Sequence, residues 1–146
     1  MPSSVELAVD LTLAHETRTV PLADLVALLR HVWHAEGGAP GTLSVVLADH
    51  ATVLELNRAY LQHDYITDVL AFALSDDPLE FDGEIYIDLD TAAERHTEFG
   101  TTYEREACRY AVHGLLHLLG YDDHTPDGKA HMHVLEDQYL ESLAID

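Results

Sequence analysis

The sequence predicts an α+β protein: a mixed sheet of about four strands packed with helices. Three observations carry this prediction. Several segments have strand-like patterning, helical periodicities lie between them, and start and stop residues stand where each element should begin and end. At 146 residues the chain is long enough to bury a core and reads as one domain, 1–146. It shows no internal repeat, linker or low-complexity segment.

Residues 4–13 (SVELAVDLTL) alternate apolar and polar, the pattern of a half-buried strand. In PLADLVALLRHVWHAEGG, Pro21 opens and Gly37 and Gly38 close an amphipathic helix. TLSVVLAD (42–49) reads as a second strand. Asp49 can cap a helix over 50–61, whose Val53, Leu54, Leu56 and Tyr60 share a face. A polar turn, QHDYITD, leads into the buried strand VLAFAL. SDDPLEFDG is an acidic, solvated connector, and GEIYIDLD (83–90) is another alternating strand. Asp90 or Thr91 starts a short helix that ends at Gly100. Thr101 and Glu104 have capping-box spacing and open a long helix through Leu119, with Gly120 as its stop. Thr125 caps the last helix and Pro126 is its first residue.

Composition narrows the function classes. Seven Lys+Arg stand against 27 Asp+Glu, a formal charge of −20. Such a chain repels polyanions at long range and gains counterion-release energy only through a local basic groove. Taken alone, this argues against a nucleic-acid partner, although 11 histidines can supply local positive or metal-binding character. The single Cys108 excludes an internal disulfide or a Cys-rich zinc site and reads as a small buried helix residue. No stretch reaches the roughly 18 apolar residues of a membrane span. MPSSVELAVDL lacks the basic-then-apolar pattern of a secretory signal, so a cytoplasmic location is expected.

The chemistry concentrates in HGLLHLLGYDDH, residues 113–124. Positions four apart on a helix share a face, so His113 and His117 can chelate one cation. Both lie in an apolar run, where unpaired imidazoles are costly to bury. Gly120 lets the chain leave the helix abruptly, and the Asp-Asp-His cluster then folds back towards the pair. Three protein ligands plus an open water position is the arrangement of a catalytic zinc ion. Zinc proteases of the HExxH type put a glutamate after the first histidine; here that residue is Gly114, which argues against that chemistry. The third ligand is Asp123 or His124: both residue types bind zinc at about 2.0–2.2 Å. Arg109 lies one turn before His113, placed either to contact a phosphate or to pair with a neighbouring acid such as Glu106. His131 and His133, two apart on a helix, face different ways and read as surface residues.

HGLLHLLGYDDH resembles the signature H-G-x-L-H-L-x-G-Y-D-H of the YbeY family, bacterial rRNA maturation factors described as metal-dependent single-strand endoribonucleases. LNRAYLQHDYITDVLAF is similar to the family's L-N-x-x-[YF]-R-x-x-D-x-x-T-D-V-L-S-F, and GEIYID to its G-D-I-x-I strand. The resemblance spans residues 40–145 and implies a zincin-like fold with the metal site on a central helix. It further implies a metal-dependent hydrolase of RNA that acts in ribosome maturation, with one Zn2+ ion held by His113, His117 and a third ligand. The family register H-x3-H-x5-H falls on Asp123, while the affinity of imidazole for zinc favours His124. The family's arginine after the aromatic of LNRAY is Leu61 here, which leaves Arg58 and Arg109 as the candidate catalytic cations. By the same resemblance His63 and Asp64 line the cleft, and Thr67 and Asp68 pin the loop that carries them. Leu61 and the acidity also keep two alternatives open. One is a hydrolase of a non-nucleic-acid substrate; the other is a non-catalytic assembly factor that binds basic ribosomal proteins.

Overall fold

The strand-patterned segments pair into one four-stranded sheet. The computed structural model describes residues 7–61, 69–75 and 79–142. Strands β1 (Leu7–Ala14), β2 (Gly41–Ala48), β3 (Val69–Ala73) and β4 (Phe81–Asp88) lie in the order β1-β2-β4-β3. The first three in that order run parallel, and β3 pairs antiparallel to β4 at the edge. The sheet is therefore mixed, as expected.

Side-chain alternation sorts the sheet's two faces. Leu43, Val45, Leu47, Ile85 and Ile87 are fully buried in the main core with α1 (Leu22–Ala35). On the other face Val46, Phe72 and Tyr86 pack with Val53 and Leu56 of α2 (His50–Leu56). Helix α3 (Leu89–Arg95) follows β4, and α4 (Tyr103–Leu118) and α5 (Pro126–Ser142) complete the chain. Ala107, Cys108, Ala111, Val112, Leu115 and Leu116 bury α4 against the sheet, making it the central helix. Burial pushes the Cys108 thiol up to about 12, which suits an inert packing residue.

Gly114 has a structural reason. A Cβ there would lie 3.0 Å from Val69 Cγ2 and 3.2 Å from Ile85 Cγ2. The missing side chain lets α4 approach β3 and β4 closely.

Caps explain where the element boundaries differ from expectation. The helix expected at Asp90 or Thr91 begins at Leu89, because the buried Asp88 carboxylate accepts the Thr91 N–H at 2.9 Å. A 3-10 turn, His96–Phe99, extends it to Gly100, whose φ of 64° ends it as expected. Thr102 rather than Thr101 caps α4, accepting the Arg105 N–H at 3.1 Å. The third helical position is then Arg105, so no capping box forms. Asp49 caps α2 through the Thr52 N–H, but a π-helical turn, Asn57–Leu61, replaces its last part. Thr125 Oγ1 accepts the Gly128 N–H at 3.0 Å and caps α5.

Residues 4–6, 62–68 and 76–78 lie outside the described residues, and with them His63, Asp64, Thr67 and Asp68. The side chains of Tyr60 and Leu61 also lie outside. No helix among the described residues is long and apolar enough to cross a membrane.

Candidate metal centre

One stripe of α4 does not face the sheet. Arg109, His113 and His117, spaced four apart, stand half-buried along it. The helix ends where the site needs it to end. Gly120, at φ 104°, donates its N–H to His117 O at 3.0 Å, and Tyr121 donates to Leu116 O at 3.0 Å. This pair of bonds is a Schellman ending, which turns the chain sharply and needs the left-handed conformation glycine tolerates.

The turn brings Asp123 to the histidines. Asp123 Oδ2 is 3.4 Å from His113 Nε2 and 3.5 Å from His117 Nε2. The two Nε2 atoms are 3.0 Å apart. Ligands arranged tetrahedrally about 2.0–2.2 Å from a zinc ion stand about 3.3–3.6 Å from one another. The three donors are thus gathered at nearly the spacing one small cation demands, and their chemistry, two imidazoles and a carboxylate, fits zinc.

His124 is not brought to the pair. Its side chain is 87% exposed, and its Nδ1 lies 2.9 Å from Asp122 Oδ1, which also accepts the His124 backbone N–H. Asp122, Asp123 and His124 do come within 4.8 Å of one another, as a mostly exposed grouping of consecutive residues.

Behind the histidine pair lies an acid that sequence reasoning missed. Glu136, on α5, is only 3% exposed. Its Oε2 accepts the His113 Nδ1–H at 2.7 Å, which fixes the ring and turns Nε2 towards His117 and Asp123. Its Oε1 accepts Arg109 Nη1 at 3.1 Å, and Arg109 Nη2 donates to Asp137. Burial opposes the charge on Arg109, but the bonds to Asp137 and Glu136 outweigh it and raise its pKa. A signal for Glu136 did exist. Met132, Glu136 and Leu140 are spaced four apart and all buried, so an acid stands on the apolar stripe of α5.

These groups line a cleft of about 860 Å³, which also holds Arg95, Phe99 and Lys129. Arg58 lies elsewhere, beside Ala51, Leu54, Glu55 and Ala59 on a separate hollow. His131 stacks edge-on against Tyr121, whereas His133 faces the cleft, so the two histidines diverge as expected.

Residues 11–144 match the family model described as Endoribonuclease YbeY. The Salinibacter ruber protein named Endoribonuclease YbeY is 51% identical over 137 residues, 88% of this chain and 87% of that protein. Its namesake in Chlorobaculum tepidum is 38% identical over 126 residues, 86% and 91% of the two chains. The solution structure of TM1509 from Thermotoga maritima superposes with a TM-score of 0.64 at 29% identity, covering 92% of this chain and 88% of that one.

Proposed function

The chain belongs to the YbeY endoribonuclease family, and from that premise we propose that it is a metal-dependent hydrolase that cuts single-stranded ribosomal RNA during ribosome maturation. The observation that carries the reading is the convergence of His113 Nε2, His117 Nε2 and Asp123 Oδ2 in a cleft, with Glu136 orienting the first. These three residues hold one Zn2+ ion. When bound, that ion supplies a water of lowered pKa and stabilises charge developing on a phosphoryl oxygen.

The chain's own residues do the rest. Glu136 keeps the His113 proton on Nδ1, so that Nε2 offers its lone pair to the site. Arg109 is a positioning residue: its salt bridges to Glu136 and Asp137 stabilise the buried carboxylate that orients His113. Three of the seven Lys+Arg residues, Arg95, Arg109 and Lys129, face this cleft. Glu106, Asp123, Glu136 and Asp137 line the same cleft and Arg109 is taken up by Glu136 and Asp137, so Arg95 and Lys129 are the cations that would meet a phosphate chain there. Basic ribosomal proteins are proposed partners of the acidic surface elsewhere, in the cytoplasm.

The test pairs metal content with turnover. Zinc-loaded protein should carry about one ion per chain and cut single-stranded RNA, and a chelator should abolish cutting. His113→Ala and His117→Ala should lose both metal and activity. Equal, near-zero metal in all three proteins would overturn the reading.

A further inference from the structure

Phe99 is an aromatic ring held in water at the mouth of the cleft. It is 58% exposed, although burying such a ring typically contributes about 1.5–3 kcal/mol. A single exposed apolar residue is ordinary on a protein surface. Three features set this one apart.

Its backbone is fixed. Gly100 N donates to Thr97 O at 3.2 Å, Thr101 N donates to His96 O at 3.1 Å, and His96 Nδ1 lies 2.8 Å from Thr101 O. The ring also carries a cation. The Arg95 guanidinium sits 5.3 Å from its centroid, one helical turn earlier, within the range of a cation–π contact. Finally, the ring shares its cleft with His113, His117 and Asp123. Among the described residues Lys129, also in the cleft, makes no ion pair, and Arg95 pairs only with the exposed Glu98, at 3.4 Å. These cations therefore stay available to a ligand, unlike Arg109.

We propose that Phe99, backed by Arg95, is a stacking platform for one nucleobase of the RNA strand, with Lys129 contacting a phosphate of the same strand. The proposal rests on the endoribonuclease reading for its ligand. Every base has a π-face, so a platform of this kind selects unpaired bases without reading their sequence. A base in a duplex is already stacked on both sides and cannot use it. The pair thus favours single strands over duplexes at the cleft entrance.

The test uses zinc-loaded protein and a short, fluorescein-labelled single-stranded RNA at low salt, with affinity read by anisotropy and turnover read separately. Phe99→Ala should bind about 5- to 150-fold more weakly, Phe99→Leu should resemble it, and Phe99→Trp should restore binding. Removing one base from the strand should weaken binding to the wild type but not to Phe99→Ala, because the same stacking contact is lost only once. Cleavage by the wild type with equal affinities for wild type and Phe99→Ala would overturn the platform and leave the endoribonuclease reading standing. Ring-dependent binding without cleavage would support the platform and overturn that reading. No binding by the wild type would overturn both.

Discussion

Replacing Glu136 by glutamine tests the logic of the metal centre most sharply. The carboxylate accepts on both sides, from His113 Nδ1 at 2.7 Å and from Arg109 Nη1 at 3.1 Å. Glutamine keeps the shape but offers one oxygen and one NH2 group. With the oxygen towards Arg109, the NH2 donates to His113 Nδ1. The imidazole proton must then move to Nε2, the atom that faces His117 and Asp123. Turned the other way, the NH2 meets the guanidinium, donor against donor. Neither arrangement keeps both bonds. Loss of a partner that orients a ligating histidine costs about 10- to 100-fold in metal affinity, or about 1.4–2.8 kcal/mol. Folding should suffer less, by about 1–2 kcal/mol, because Asp137 still neutralises Arg109. Zinc affinity is read by competition with a chromophoric chelator, with circular dichroism as the check on folding. A folded Glu136→Gln protein that binds zinc as tightly as the wild type would refute the argument.

Three other predictions test separate parts of the structure. Asp123→Ala should lower zinc affinity more than about 100-fold, while His124→Ala stays within about threefold; the opposite ranking in the same competition assay would move the third ligand to His124. Gly114→Ala gains about 1 kcal/mol of helix propensity but crowds Val69 and Ile85 at a cost of about 1–3 kcal/mol. The expected net loss is about 1 kcal/mol, or about 3 °C in Tm, and a raised Tm would show that α4 has room. Asp90 carries the pH prediction. Its desolvation would raise the carboxyl pKa, but hydrogen bonds from the His50 N–H, His15 and Arg18 hold it at about 2 against an ordinary 3.8. A depressed folded pKa gives stability that is present above pH 3.8 and lost as pH falls through about 2. Asp90→Asn should therefore be less stable than the wild type at pH 6, with the gap in Tm closing towards pH 2. A gap independent of pH would refute the assignment.

The histidine pair was legible because both residues belong to one helical turn, and their spacing alone puts them on one face. Gly120 was legible for the same reason, since a helix stop is a local event. The cap residues were not. Asp88 beats Asp90, and Thr102 beats Thr101, because each neighbouring residue offered a similar side chain and only the observed N–H bonds decide between them. Gly114 was read as a missing catalytic base; in the fold it is a packing necessity set by Val69 and Ile85, which no local pattern contains.

The sequence by itself determined the alternation of strands and helices, the pair of imidazoles and the sharp exit after them, since all three depend on residues within a few positions of one another. Tertiary structure alone decided the order of the sheet, the side to which His124 turns, and the assembly of the cleft. Glu136 reaches His113 across 23 residues, and Asp137 reaches Arg109 across 28, because α5 packs against α4. A contact of that range costs chain entropy that only the packed core repays, so it is written in the fold and not in any short stretch of the chain.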